Sequence, residues 1–116
     1  IRDEGVTTQQ IKELCEQYCA LWPTGVKSGG YYVRSGVNSV FPKMRRFVKN
    51  NRRFTSDVIL RATRLYLTEK ERENWAFTTL ADYFIEKNGA SKLESYCQAV
   101  LDNTVEQQEK IRGNVV

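Results

Sequence analysis

Histidine is absent from this chain of 116 residues. That removes the side chain most often used for proton transfer near neutral pH. A phosphate-cradling Gly-x-x-x-x-Gly-Lys-Ser/Thr loop is also missing. The glycines at 25, 29, 30 and 36 follow no buried strand, so they are not a dinucleotide fingerprint either. Glu69, Glu71 and Glu73 interleave with Lys70 and Arg72 in a polar run, which reads as a solvated turn and not as a catalytic carboxylate pair. The chain therefore reads as a non-catalytic protein that carries no cofactor. No apolar run approaches the roughly 20 residues that cross a bilayer, and no secretory signal opens the chain, so a membrane is not expected as a partner. The first residue is Ile and not Met, which suggests a processed product or a piece of a longer protein.

Cysteine is scarce and odd in number, at three. Cys15, Cys19 and Cys97 cannot all pair within one chain, and without a signal peptide they read as reduced thiols in a cytoplasmic protein. Cys15 and Cys19 share a helical face, but a metal site would need Cys97 and a carboxylate or water as fourth ligand. Core thiols are the simpler reading, and no metal site is assigned.

The most telling absence is of one sign of charge. From Gln17 to Ser56 there is no Asp or Glu, although the chain has 14 of them in all. The same span carries Lys27, Arg34, Lys43, Arg45, Arg46, Lys49, Arg52 and Arg53. A single-sign field suits an anionic partner, nucleic acid first among them; the alternative is a solvated face balanced by acidic residues across the fold.

The remaining sequence supplies ample material for one helical domain over residues 1–116. Hydrophobic residues make up 41%, with two Trp, six Tyr and five Phe, enough to close a single core without staples. Residues 1–6 form a lead-in. Thr7 and Gln10 make a capping box for a first helix over Thr8–Leu21, with Ile11, Leu14, Cys15 and Tyr18 inward and Pro23 as its stop. Residues 26–33 predict a glycine-rich loop or small hairpin turning at Ser28-Gly29 or Gly29-Gly30. There Tyr31 and Tyr32 should face opposite ways, one buried and one free.

A second helix is expected over Ser39–Asn50, capped by Asn38 or Ser39, with Pro42 in its first turn and Val40, Phe41, Met44, Phe47 and Val48 inward. A third, capped by Thr55 or Ser56, should end near Lys70 and bury Val58, Ile59, Ala62, Leu65 and Tyr66. Thr78 or Thr79 should cap a fourth through Ile85, with Trp75, Phe77, Leu80, Phe84 and Ile85 as core and Asn88-Gly89 ending it. Ser91 and Glu94 frame a fifth, with Leu93, Tyr96, Cys97, Val100 and Leu101 inward. The tail from Thr104 to Val116, with Val105 and Ile111 among polar residues, prolongs that helix, docks on a partner or frays. The fold class is thus mainly α, a bundle of about five short helices with a hairpin or loop between the first two.

Several pieces in this order resemble a small helical domain near the C-terminus of phage and prophage replication-type proteins, relatives of primosomal and helicase-loading proteins. They are Tyr18 with Leu21-Trp22-Pro23, then Pro42 to Phe47, Ile59 to Tyr66 with Ala62, and Trp75 to Ile85, together spanning residues 14–86. The chain departs from that pattern in its glycine-rich insert and in Thr-Thr-Leu-Ala-Asp at residues 78–82. The resemblance implies an accessory module of viral DNA replication or recombination and supplies no catalytic residue. It makes DNA a better candidate than RNA.

The expected nucleic-acid contacts are Lys43, Arg45, Arg46, Lys49, Arg52 and Arg53 on phosphates. Lys27, Arg34 and Tyr31 or Tyr32 would assist from the loop. The competing expectation is a protein–protein adaptor or phage assembly module. It would present the basic face or the C-terminal tail to a replication or virion protein.

Overall fold

The computed structural model describes the backbone of residues 7–115 and the side chains of residues 7–103. The lead-in at residues 1–6 lies outside the described residues, as do the side chains of the tail from residue 104, Val105 and Ile111 included.

Five helices and one hairpin follow in order: α1 (Thr8–Leu21), β1 (Lys27–Ser28), β2 (Tyr31–Tyr32), α2 (Val37–Asn50), α3 (Ser56–Arg72), α4 (Ala81–Ile85) and α5 (Lys92–Val115). The fold is mainly α, with the antiparallel hairpin between α1 and α2. α1 begins as its local code dictates. The Thr7 hydroxyl accepts from the Gln10 N–H, and the Gln10 side chain accepts from the Thr7 N–H. α3 starts on Thr55, whose hydroxyl accepts from Val58 N–H, and the Ser91 hydroxyl accepts from Glu94 N–H at the start of α5.

One hydrophobic core joins these elements, with an aromatic centre of Tyr18, Trp22, Tyr66, Phe84 and Tyr96. Tyr66 and Phe84 meet with ring centroids 4.5 Å apart. Each tyrosine hydroxyl has a partner, which makes its burial affordable. Tyr18 donates to the Ala81 carbonyl at 2.7 Å, Tyr66 accepts from Thr79 N–H at 2.8 Å, and Tyr96 donates to the Glu69 carboxylate at 2.7 Å.

The structure corrects the sequence reading at several places. α2 starts at Val37, with Gly36 as a cap that offers no side-chain hydrogen bond. Pro42 consequently lies inside the helix. Its missing N–H leaves the Asn38 carbonyl unbonded within α2, on a side where both residues face water. α3 runs on to Arg72 and turns Leu65 outward; Thr63 takes an inward place because its hydroxyl donates to the Ile59 carbonyl at 2.9 Å.

α4 begins only at Ala81, and no threonine caps it. The Ser35 hydroxyl instead accepts from Asp82 N–H at 3.2 Å, reaching over from the end of the hairpin. Asn88 and Gly89 do not end α4. They hold φ of 55° and 81° in a separate tight turn closed by hydrogen bonds between Lys87 and Ala90.

Both hairpin tyrosines are exposed, Tyr31 at 70% and Tyr32 at 58%. The ribbon has two strands and no third to cover either face, and the inward role falls to Val33, which is fully buried. Phe77, expected in the core, is 95% exposed, and Trp75 is only partly buried.

Candidate nucleic-acid interface

The period of an α-helix splits the basic residues of α2 into two rows. Lys43 and Arg46 fall on the side that packs against α4, whereas Arg45 and Lys49, one turn apart, fall on the outer side. Arg53 follows the helix toward α5, while Arg52 lies toward α1 and α3.

The inner row is balanced by acids from the C-terminal half of the chain. Lys43 Nζ lies 3.8 Å from the Asp82 carboxylate and donates to the Glu86 carbonyl at 3.0 Å. Its ammonium also covers the Tyr83 ring, 4.9 Å from the centroid. Arg46 pairs with Glu86 at 3.5 Å, and Arg53 pairs with Glu94 at 3.5 Å while stacking on Phe54 at 4.2 Å. The last two pairs are largely solvent-exposed, so each contributes at most about 1 kcal/mol and weakens with salt. A groove of about 440 Å³ runs along this row, bounded by Lys43, Arg46, Asn50, Glu86 and Glu94. Its mixed charge does not single out an anion.

Arg34 is also engaged within the chain. Its Nε donates to the Trp22 carbonyl at 2.7 Å and its Nη2 to the Ala20 carbonyl at 3.0 Å. A cation at the C-terminal end of α1 satisfies carbonyls that have no intrahelical donor and complements the helix dipole.

The outer row differs. Arg45 and Lys49 are exposed, and neither makes an ion pair or side-chain hydrogen bond among the described residues. Arg52 is exposed too but has a partner within the chain. The hairpin adds a second exposed element. Lys27 pairs in register with Tyr32, its ammonium 4.8 Å from that ring's centroid, and Ser28 pairs with Tyr31. The turn between them is Gly29-Gly30, with φ of 62° and 89°, where a side chain would be strained. The ribbon is fixed at its base: Val33 N–H donates to the Val26 carbonyl at 2.9 Å, and the Val33 carbonyl accepts from Ala81 N–H at 2.8 Å.

The ten candidate residues thus separate by what holds them. Lys43, Arg46, Arg53 and Arg34 serve contacts inside the fold, whereas Arg45, Lys49, Lys27, Tyr31 and Tyr32 present open surface, and Arg52 combines exposure with an internal contact. Sequence reasoning missed the acidic partners Asp82, Glu86 and Glu94, whose spacing of four and eight residues gives no hint that they answer α2.

Nucleophilic chemistry has little to work with. Cys15, Cys19 and Cys97 are buried and unpaired, and burial pushes the Cys15 and Cys97 thiols up to about 12. Thiolate is the reactive form, so these groups are inert near neutral pH. Among the described residues, no three His, Cys, Asp or Glu side chains come together as a metal site, and no helix is long and apolar enough to cross a membrane. Comparison with protein-family models, curated proteins and solved structures finds no match to this chain.

Proposed function

We propose that this chain is a non-catalytic nucleic-acid-binding module. Arg45 and Lys49 on the outer side of α2 contact phosphates, with Arg52 beyond the helix end. The hairpin adds Lys27 and two aromatic faces on which unpaired bases can stack. The observation that carries this reading is the open outer row: two cations one turn apart, without acidic partners among the described residues, in a chain that neutralises their inner neighbours. Its assignment to phage-type DNA replication or recombination, and the preference for DNA over RNA, rest on the resemblance carried by residues 14–86.

Fluorescence anisotropy against labelled single- and double-stranded DNA over a salt series tests the proposal. Binding should weaken steeply with salt, because each neutralised phosphate releases counterions. In Arg45→Ala/Lys49→Ala the slope of log affinity against log salt should become shallower by about 0.9 per lost contact on duplex or about 0.7 on single strands. No binding at low salt, or binding that ignores this pair of substitutions, would sink the reading and favour an acidic protein partner.

A further inference from the structure

The turn after α3 holds three non-glycine residues in left-handed backbone: Asn74 at φ 58°, Trp75 at 63° and Phe77 at 54°. That conformation is tolerated by asparagine but is unusual for large aromatic residues. Here it is imposed by a dense set of hydrogen bonds. Trp75 N–H donates to the Lys70 carbonyl at 2.7 Å and Ala76 N–H to the Glu73 carbonyl at 3.2 Å. The Lys70 ammonium reaches the Ala76 carbonyl at 3.1 Å, and the Thr78 hydroxyl donates to the Trp75 carbonyl at 2.8 Å. Thr79 N–H then ties the segment to the Tyr66 hydroxyl. The outcome is a braced turn that points Trp75 toward the body and leaves Phe77 95% exposed.

Trp75 lines a groove of about 330 Å³ whose apolar wall also includes Leu21, Pro23 and Leu67. The exposed Phe77 and the groove-lining Trp75 are two residues apart in one turn. The rim of that groove carries Arg64 and Glu71, and neither forms an ion pair among the described residues. They lie seven residues apart on α3, so they share a face about 10 Å apart along the axis. Two-fold rotation reverses the direction of such a face and brings each sign against its opposite.

We propose that this surface joins two copies of the chain, with Phe77 of each copy seated in the Leu21–Pro23–Leu67–Trp75 groove of the other and Arg64 paired with the partner copy's Glu71. A second copy is the occupant that supplies an aromatic knob and both rim charges at once. The contact uses no residue of the basic face, so the dimer carries two nucleic-acid surfaces. One aromatic anchor per copy makes the association reversible and modest in strength.

Sedimentation equilibrium from about 10 μM to about 1 mM reads the outcome. The wild-type chain should shift from monomer to dimer over this range, and Phe77→Ala should weaken the association by about tenfold or more, as loss of a central aromatic anchor does. Phe77 makes little contact within its own chain, so circular dichroism of that variant should match wild type. Arg64→Glu and Glu71→Arg should each weaken the dimer, and the double exchange should restore it. A monomer at every concentration overturns the proposal, as does a dimer indifferent to Phe77 or a charge exchange without rescue.

Discussion

Arg34 closes the end of α1 through two carbonyls, donating Nε to Trp22 at 2.7 Å and Nη2 to Ala20 at 3.0 Å. The fork of the guanidinium reaches both at once, which a single ammonium does not. Arg34→Ala should lower unfolding stability by about 1–3 kcal/mol in urea denaturation, the range for charge-assisted hydrogen bonds, and Arg34→Lys should recover only part. Equal stability of all three proteins would show that the cap adds nothing.

Lys43 and Arg45 are near neighbours on one helix with opposite duties. Lys43→Ala removes a half-buried ion pair and a hydrogen bond to the Glu86 carbonyl, a loss of about 1–2 kcal/mol. Arg45→Ala removes no ion pair or side-chain hydrogen bond among the described residues and should stay within about 0.5 kcal/mol of wild type. Thermal or chemical unfolding of the two variants side by side checks the division of α2 into an inner and an outer row.

The hairpin tyrosines make the sharpest separation of binding from stability. Tyr31→Ala and Tyr32→Ala uncover no core, so the melting temperature should hold. Stacking lost from one base is worth about 1–3 kcal/mol. Single-stranded DNA affinity should therefore fall by about fivefold or more in at least one of the two, with a smaller effect on duplex. Equal affinities for both variants and wild type would remove the hairpin from the interface.

The buried thiols predict the direction of pH dependence. Burial raises Cys15 and Cys97 from 9.0 to about 12, and it also raises Cys19, Tyr18 and Tyr66 above their ordinary values. The unfolded chain sheds these protons first. Their contribution is thus fully present below about pH 9 and is lost as pH rises toward 12, at about 1.4 kcal/mol per pH unit for each proton of difference. Denaturation midpoints should fall steadily above pH 9, and less steeply in Cys15→Ala/Cys97→Ala. A stability that stays flat to pH 11 would contradict this.

What could be read from sequence follows the range of the signal. α1 came with both ends marked locally, by Thr7 with Gln10 and by Pro23, and its bounds are as expected. The start of α4 was illegible because its N–H partner is Ser35, which belongs to another part of the chain. Phe77 reads as core within the aromatic segment from Trp75 to Ile85; its exposure depends on a left-handed backbone set by Lys70 and Thr78, which no periodicity reports. The run of single-sign charge was plain, but its division was not, since Asp82, Glu86 and Glu94 reach α2 only through the tertiary fold.

Ala81 accepts from the Tyr18 hydroxyl and donates to the Val33 carbonyl. During synthesis, α1, the hairpin and α2 emerge well before it. Until it arrives, the Tyr18 hydroxyl and the Val33 carbonyl keep water as their partner, and Lys43 and Arg46 stand without their carboxylates. Until then the span from Gln17 to Ser56 keeps its single sign of charge. Closure waits on a loop of about 60 residues, the kind of distant contact that slows folding, and that step takes Lys43 and Arg46 from free charge into internal structure.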